Sequence, residues 1–385
     1  METIEKLRLL SEHMDLEPTS TTNSFAEGFT CNGIYVQNAS LPNGKRMRLF
    51  KSLLSSACVN NCTYCPFRAS RDFHRVSLTP EEYAKQIHSF YQVGLIQGAF
   101  ISSAIAGKSI SIQDKLIQTA EILRKKYLYR GYLHIKIMPG AELEQIKHTM
   151  QLADRVSLNL EAPNQNRLSM IAPEKDFDKQ LITGLQYIAQ IKRSEPAWFG
   201  WNNHWPSLTT QFVVGGADES DREILSITAA LTGNLQLKRA YFSAFRPFND
   251  TPLANHPTVP LRREQRLYQA SFLLRDYGFA LDDLSFDGQH NLLLNIDPKT
   301  AWAKNCLSEN PVEINSADKR ELMRIPGIGP KSAERILKQR IFGTISNLTT
   351  LTKMGIRTQQ SAPFILIDGK RPATQMSFFT SWNFL

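Results

Sequence analysis

The stretch CVNNCTYC runs from Cys58 to Cys65 and holds three of the five cysteines in this 385-residue chain, with Cys62 between the other two. Thiolates bind soft metal ions such as zinc, and they also hold iron–sulfur clusters. Because five cysteines are too few for a disulfide framework in a chain of this length, the clustering indicates a metal or catalytic site in a reducing compartment.

Three kinds of site fit this C-x3-C-x2-C spacing. A zinc site normally has four protein ligands, and Cys31, Cys306 or His74 could supply the fourth, although none belongs to a recognisable second pair. An ordinary four-cysteine cluster meets the same objection. In the third kind, three thiolates bind three irons of a [4Fe–4S] cluster, and the fourth iron binds S-adenosylmethionine. Electron transfer into the sulfonium then gives a 5′-deoxyadenosyl radical, a chemistry that the cofactor supplies and the protein shields.

Six β-rich runs alternate with helix-like stretches. They are Arg48–Ser56, Gly98–Ile105, Tyr132–Gly140, Arg155–Pro163, the start of Thr209–Thr228, and Leu237–Phe245. This alternation predicts parallel βαβ units, which right-handed crossovers wind into a doubly wound sheet or a barrel. Because candidate site residues follow the strand ends, as they do in α/β barrels, we expect an α/β fold. It consists of a partial (β/α)6 TIM-like barrel with a small all-α C-terminal module.

The cysteine stretch resembles the C-x3-C-x-aromatic-C signature of the radical SAM superfamily, with Tyr64 as the aromatic residue. The resemblance implies that Cys58, Cys62 and Cys65 bind a [4Fe–4S] cluster and that S-adenosyl-L-methionine is bound beside it. It also implies an external electron donor such as flavodoxin or ferredoxin.

The resemblance further suggests residues that bind the methionine part of the cofactor. Where the superfamily has Gly-Gly-Glu after the second strand, this chain has SSAIAG, so that Ser102 or Ser103 would bind the amino group. Lys136 in HIKIMPG would pair with the carboxylate. A surface or barrel-lining lysine is the alternative for this position.

The nucleoside part of the cofactor is assigned by the same resemblance. Asn159 and Glu161 alternate along LNLEAP and therefore face the same side of a strand; they would bind the ribose hydroxyls. Gly215 and Gly216 would form a turn that passes the adenine, since glycine lets the backbone approach a flat ring. A structural hydrogen-bond network and a plain tight turn are the respective alternatives.

The C-terminal part of the chain is basic. Residues 311–385 contain 11 Lys and Arg against 5 Asp and Glu, so they carry +6 of the chain's net charge of +9. Such a module suits a polyanion, although ordinary solubilising charge is an alternative explanation.

Within this part, RIPGIGPKSAERIL predicts two helices joined by a tight turn. Gly327 and Gly329 permit the turn, and Ile328 can fill the core between the helices. The free N–H groups at the start of the second helix would form a phosphate site, with Lys331 and Ser332 beside it. The pattern resembles a helix-hairpin-helix motif and implies sequence-independent DNA binding. A protein-docking module is the alternative.

The two halves together resemble a bacterial family described as DNA modification or repair radical SAM proteins. The resemblance covers nearly the whole chain, including LNLEAP, TQFVVGGADE, NIDPKTAWA and IPGIGPKSAERIL. It implies an enzyme that acts on DNA. Two alternatives are an enzyme that acts on RNA or protein with the tail as a docking module, and a non-catalytic DNA-binding iron–sulfur protein.

These patterns predict four segments: an N-terminal helical extension at 1–47, the barrel at 48–250, a connecting helical region at 251–310 and the helix-hairpin-helix module at 311–385. No apolar run approaches about 20 residues, and the start lacks the apolar stretch of a secretory signal, so a cytoplasmic protein without a membrane span is expected. A loop with Trp198, Trp201 and Trp205 would either stack on bases or anchor itself by hydrophobic contacts.

Overall fold

The computed structural model describes residues 2–15, 28–31, 33–40 and 46–373. The chain divides into two compact units, Met1–Glu264 and Gln265–Leu385. The predicted ends of the first and last segments fall partly outside the described residues, and the four predicted boundaries remain predictions.

The first unit is built on an eight-stranded sheet in the order β1 to β8. Its strands are β1 Phe29–Cys31, β2 Ile34–Ser40, β3 Arg46–Leu53, β4 Gly98–Ser102, β5 Tyr132–Lys136, β6 Arg155–Ser157, β7 Ser207–Val214 and β8 Arg239–Ala244. Strands β3 to β8 pair with one another in parallel, whereas β1 with β2 and β2 with β3 pair antiparallel. The six parallel strands and their helices form the partial (β/α)6 barrel, which confirms the predicted fold class.

Helices follow the parallel strands and cover the outer face of the sheet. They are α2 Pro80–Gln92, α3 Ser109–Glu121, α4 Leu143–Leu152, α5 Gln165–Ile171, α6 Thr183–Ser194 and α7 Asp221–Leu235, and α1 Thr3–Asp15 precedes the sheet. The start of α2 shows how local sequence sets these elements. Thr79 and Glu82 form a capping box around the first turn, and Pro80 occupies its first position.

The two faces of the barrel sheet differ in polarity. On the outer face, Phe50, Ile101 and Ile135 are fully buried under the helices. On the inner face, Lys51 and His134 remain partly exposed. Since side chains alternate along a strand, one set packs the hydrophobic core and the other lines the inside of the barrel.

The N-terminal segment, predicted to be helical, contains α1 followed by two strands. β2 pairs with β3, with Val36 opposite Phe50, and so extends the sheet beyond the barrel. The alternating stretch IYVQNAS carries this strand pattern, but its low apolar content makes it a weak signal for a strand.

The second unit is mainly helical. Its helices are α9 Pro298–Cys306, α10 Lys319–Arg324, α11 Pro330–Phe342, α12 Leu348–Lys353 and α13 Thr358–Ser361, and α8 Leu261–Asp276 contains the boundary between the units. The all-α prediction for the C-terminal module needs one correction, because β9 Val312–Glu313 pairs in parallel with β10 Ile365–Leu366. Within the described part of the chain, no helix has the length and apolar character needed to cross a membrane.

Candidate functional site

A cavity of about 360 Å³ lies at the carboxyl ends of the parallel strands in the first unit. Every one of the six strands, or the loop that follows it, contributes lining residues. They include Leu53, Ser103, Lys136, Asn159, Val213 and Ser243. The position and size match those of small-molecule sites in α/β barrels.

Cys58, Cys62 and Cys65 all line this cavity. Cys62 is buried, and burial raises the pKa of its thiol against the opposing effect of Lys175. The other two cysteines are partly exposed. The structure therefore brings all three thiols to the same cavity.

The donor geometry bears on the zinc alternative. Among the described residues, no three His, Cys, Asp or Glu side chains converge on a point that a single metal ion could occupy. A zinc site requires its ligand atoms about 2.3 Å from one ion, whereas a cluster takes its thiolates on different irons. Cys31 and His74 are not among the lining residues, and Cys306 is exposed in the second unit. None of the three candidates for a fourth zinc ligand is therefore among the residues that line the cavity.

Hydrogen bonds fix the cysteine loop to neighbouring elements. The N–H of Thr63 donates to the carbonyl of Ile171 at 2.8 Å, and the N–H of Asn61 donates to the carboxylate of Glu174 at 2.9 Å. The N–H of Phe67 donates to the sulfur of Cys65 at 3.4 Å. The loop is thereby held against the end of α5.

Arg75 closes the same loop from the other side. Its guanidinium donates to five backbone carbonyls at 2.8–3.3 Å, those of Ser56, Phe67, Arg68, Ala69 and Arg71. The guanidinium also lies over the ring of Phe73, 4.4 Å from the ring centroid. One side chain therefore organises the backbone on both sides of the cysteines. The sequence analysis did not identify Arg75, because no local pattern marks it.

Glu161 and Lys175 form a buried ion pair in the cavity wall, with 3.2 Å between the ammonium nitrogen and the nearer carboxylate oxygen. Burial acts to lower the pKa of Lys175, but Glu161 and the Cys62 sulfur outweigh it and raise the pKa above its usual value. The lysine therefore stays charged. The sequence analysis missed it, since Lys175 lies in a loop without a recognisable motif.

The backbone of Glu161 is strained, with a φ of 64°. Non-glycine residues seldom adopt this region, and such residues concentrate at functional sites. The neighbouring strand β7 holds the conformation, because Glu161 donates its N–H to the carbonyl of Gln211 and accepts from the N–H of Val213. Contacts with β7 therefore maintain the strained backbone of Glu161, whose side chain lines the cavity.

The remaining predicted residues of the barrel fall into two groups. Tyr64, Lys136, Asn159 and Ser103 line the cavity, and the Ser103 hydroxyl donates to the carbonyl of the next residue. Ser102 is fully buried behind them, and its hydroxyl has no hydrogen-bond partner among the described residues.

Gly215 and Gly216 are not among the residues that line the cavity. Gly215 has a φ of 79°, and a Cβ atom there would lie 2.3 Å from Val259. Its N–H donates to the carboxylate of Glu219, and its carbonyl accepts from His256 at 2.8 Å. The turn therefore has a structural explanation, and its predicted role beside the adenine stays a prediction.

The cavity fits the cofactors that the cysteine spacing implies. The three thiols, the ammonium group of Lys136 and the carboxylate of Glu161 all line it. These groups suit a cluster together with a small molecule that carries amino, carboxylate and hydroxyl groups.

The hairpin in the second unit has the predicted construction. Gly327 has a φ of 82°, and a Cβ atom there would lie 2.7 Å from the carbonyl oxygen of Arg357. Ile328 is 1% exposed and fills the core. Gly329 precedes α11 directly, with Lys331 exposed in its first turn. Ser332 follows in the same turn, partly exposed.

Lys299, in the NIDPKTAWA stretch, supports this hairpin from α9. Its ammonium group donates to the carbonyl of Ile328 at 2.6 Å and lies 4.8 Å from the centroid of the Tyr277 ring. Burial lowers the pKa of Lys299 to about 7, although Asp297 opposes the shift. The NIDPKTAWA pattern by itself indicates no role for this lysine.

A second helix–turn–helix follows between α12 and α13. Gly355 has a φ of 74°, and Ile356 is buried like Ile328. The guanidinium of Arg335 donates to the carbonyl of Met354 in this second turn. This second hairpin is therefore built like the first.

The tryptophan loop of the first unit is anchored by two of its three rings. Trp201 lies under the guanidinium of Arg124, 3.8 Å from the ring centroid. Trp205 donates its indole N–H to the carbonyl of Glu195 at 3.1 Å, whereas Trp198 is 67% exposed. Anchoring thus explains most of this loop.

Two family models match the chain. The radical SAM superfamily matches residues 52–228, and the helix-hairpin-helix motif matches residues 308–365. The first match contains the three cysteines, and the second contains both hairpins of the second unit. No curated protein matches the chain.

Solved structures with a similar fold include HydG, an FeFe-hydrogenase maturase from Carboxydothermus hydrogenoformans, with 13% identity and a TM-score of 0.46 over 59% of this chain and 51% of that one. Methylornithine synthase PylB has 12% identity and a TM-score of 0.46 over 59% of this chain and 61% of that one. TsrM from Kitasatospora setae, a radical S-adenosylmethionine methyltransferase, has 14% identity and a TM-score of 0.41 over 54% of this chain and 39% of that one. The chain spans about half the length of the HydG chains it matches.

Proposed function

We propose that this chain, which matches the radical SAM superfamily and the helix-hairpin-helix motif, is a radical SAM enzyme that acts on DNA, in modification or repair. One observation supports this proposal above the others: a thiol-lined cavity in one unit and an exposed, lysine-bearing hairpin in the other belong to the same chain. The hairpin would bind the phosphate backbone without reading the base sequence.

In this proposal Cys58, Cys62 and Cys65 hold a [4Fe–4S] cluster, and S-adenosylmethionine occupies the cavity beside it. When bound and reduced by an external donor such as flavodoxin or ferredoxin, these groups supply an organic radical that abstracts hydrogen from the substrate. The protein binds, orients and shields them.

Different side chains of the cavity would bind different groups of the cofactor, according to their charge. The Lys136 ammonium group would bind the carboxylate of the methionine part, and of the two candidate serines Ser103, which lines the cavity, would accept hydrogen bonds from its amino group. Asn159 and Glu161 would bind the ribose hydroxyls, with Lys175 fixing the Glu161 carboxylate. Because these groups are fixed by the strand ends, they need little reorganisation when the cofactor binds.

The DNA substrate would have to present an unpaired nucleotide to this cavity. A base in a duplex is inaccessible to an enclosed site, so the target nucleotide must be extruded or already single-stranded. The hairpin would hold the flanking duplex while the nucleotide enters the barrel.

Three measurements test the proposal. Anaerobically reconstituted protein should cleave S-adenosylmethionine when reduced with dithionite, and product analysis with damaged and undamaged DNA should show an altered nucleotide. Duplex binding should weaken steeply with added salt and fall further in the Lys331→Glu variant. Cofactor cleavage without an altered nucleotide, together with duplex binding that Lys331→Glu leaves unchanged, would favour an RNA or protein substrate instead.

A further inference from the structure

The wall of the cavity at the ends of the last two strands takes no part in the cofactor binding proposed above. The lining residues assigned to the cluster and to S-adenosylmethionine all lie at or after the ends of β3, β4, β5 and β6. The lining residues from β7, from β8 and from the segment directly after β8 include Gln211, Ser243, Arg246 and Phe248. These four residues are named the β7–β8 wall here.

The charged side chains that line the cavity leave one cation without a partner. Lys175 pairs with Glu161, and Lys136 would bind the methionine carboxylate in the proposed function. The remaining cation of the lining, Arg246, is exposed and forms no hydrogen bond or ion pair with another residue in the described part of the chain. Burial raises the pKa of the nearby Glu264 carboxyl, and the charge of Arg246 is one of the effects that oppose this shift. A guanidinium in this position suits a phosphate, which it can bind through two parallel hydrogen bonds.

The ring of Phe248 is held in place by Arg71. The guanidinium of Arg71 lies 4.7 Å from the centroid of the Phe248 ring and donates to the carbonyl of Pro66 at 3.2 Å. Because Pro66 directly follows Cys65, these contacts connect the ring to the cysteine loop, and the ring also lines the cavity. Bases of any identity stack on aromatic rings, and a ring that is already fixed loses little freedom when a base binds.

Gln211 and Ser243 add hydrogen-bonding groups to the same wall. The amide nitrogen of Gln211 donates to the hydroxyl of Ser243 at 3.2 Å. The amide oxygen of Gln211 accepts no hydrogen bond from the residues that the structure describes. A carboxamide held by one N–H group presents an acceptor and a second donor side by side, and this pair of groups can bind the edge of a nucleobase.

We propose that the β7–β8 wall binds the nucleotide that the enzyme alters. Arg246 binds the phosphate of this nucleotide, the base lies against the ring of Phe248, and the amide group of Gln211 forms hydrogen bonds with the edge of the base. The nucleotide thereby occupies the same cavity as the three cysteines. This inference rests on the proposed function, since it names the residues that receive the DNA.

The test compares DNA duplexes with and without an unpaired nucleotide. Full-length protein is reconstituted anaerobically, S-adenosylmethionine is added without a reductant, and binding is followed by fluorescence anisotropy. The probes are a fully paired, fluorescein-labelled duplex and four otherwise identical duplexes, each with one bulged nucleotide that carries a different base. The preference is the Kd for the paired duplex divided by the Kd for the most tightly bound bulged duplex. Because a bulged nucleotide has no base pair to break, the unmodified protein should show a preference of at least about tenfold.

Variants of the wall should lose this preference. Arg246→Gln and Phe248→Ala should each lower it at least about fivefold, since a charged hydrogen bond and a stacked base each contribute at least that much. Arg246→Gln should also lower the salt slope for the bulged duplex by about 0.7, the contribution of one phosphate on a single strand, whereas Phe248→Ala should leave the slope unchanged. The matched controls are Arg193→Gln on α6 and Phe199→Ala in the tryptophan loop, which are exposed and lie outside the cavity. Both controls should match the unmodified protein.

Three conservative variants distinguish the individual roles from a loss of structure. Arg246→Lys retains the positive charge and should retain the salt slope. Phe248→Leu retains apolar volume without a flat ring and should lower the preference as Phe248→Ala does; it replaces Phe248→Ala if that variant loses its iron. Gln211→Leu should narrow the differences in affinity among the four bulged bases, because it removes the group that binds the base edge.

A preference that survives in both Arg246→Gln and Phe248→Ala would overturn the inference, as would the lack of a preference in the unmodified protein. Lys331→Glu separates these results from a failure of the proposed function, since it should weaken binding of the paired and bulged duplexes by the same factor. If it does so while the wall variants behave like their controls, the inference fails and the proposed function stands. If the unmodified protein binds none of the duplexes, the proposed function fails.

Discussion

The ammonium group of Lys175 lies 3.2 Å from the carboxylate of Glu161, and both side chains are buried in the wall that also holds the cysteines. Removing one partner from a buried pair leaves an uncompensated charge, which costs about 3–5 kcal/mol. We expect Lys175→Met to lower the unfolding free energy by that order and to slow cleavage of S-adenosylmethionine. Thermal unfolding and a cleavage assay measure the two effects.

A double variant supplies the control for this pair. Because Lys175→Met/Glu161→Gln leaves no buried charge without a partner, it should be more stable than Lys175→Met alone. If the free energy of unfolding of the double variant instead falls by the sum of the decreases in the two single variants, the two side chains contribute independently. The ion pair then adds no stability of its own.

Arg75 gives a second prediction. Lysine at this position retains the positive charge but cannot reach five carbonyls at once, since it lacks the planar fork of donors. Outer residues of metal sites typically contribute about 10–100-fold to metal affinity, so Arg75→Lys should retain much less iron after gel filtration. Iron content per chain is the measurement. Arg193→Lys, on the exposed side of α6, is the matched control, and equal iron in both variants would contradict the role of Arg75.

Lys299 predicts a pH dependence of stability. Its pKa is about 7 in the folded protein against 10.5 for an ordinary lysine. Between these values the unfolded chain binds the proton and the folded protein does not, so stability rises with pH through this window by up to about 1.4 kcal/mol per pH unit. Below about pH 7 both states bind the proton and the full penalty applies.

The Lys299→Met variant should lose this slope, so that its melting temperature relative to the unmodified protein falls as pH rises from about 7 to about 10. Melting temperatures at several pH values in this window test the expectation. Lys304→Met, exposed on the same helix α9, should follow the unmodified protein. Parallel curves for all three proteins would show that Lys299 keeps an ordinary pKa.

A substitution at Gly327 should affect DNA binding without affecting the cofactor chemistry. Alanine there must adopt a φ of 82° with its Cβ atom 2.7 Å from the Arg357 carbonyl oxygen, a strain of about 1–3 kcal/mol. We expect Gly327→Ala to weaken duplex binding while cleavage of S-adenosylmethionine without DNA is unchanged. A methyl group at Gly288 meets no described atom within 4 Å, so Gly288→Ala should leave duplex binding intact. Equal affinities of the two variants would argue against the hairpin as the binding element.

The elements that carry a repeating pattern could be predicted from the sequence. The alternation of strands and helices predicted the six parallel strands, and the cysteine spacing predicted that three thiols lie close together. Residues that act across the fold left no such pattern. Arg75 and Lys175 take their roles from contacts that exist only after the loops have folded against each other. Lys299 is similar, because its partner Ile328 lies 29 residues further along the chain.

Gly215 shows why a motif alone does not establish a role. The glycine pair resembles an adenine-binding turn, and in the structure crowding by Val259 and a hydrogen bond from His256 also shape the turn at Gly215. A glycine in a sequence shows only that a side chain is not tolerated at that position. Either a packed neighbouring residue or a bound aromatic ring can exclude that side chain.

The short parallel pairing of β9 with β10 joins Val312 to Ile365 and so places the two ends of the hairpin region side by side. A segment whose ends meet can be cut out, transplanted or reconnected in a different order without stretching its interior. Residues 312–366 could thus be joined to an unrelated carrier protein through a short linker at each end, and the proposed DNA binding of the hairpin could be measured on that fusion.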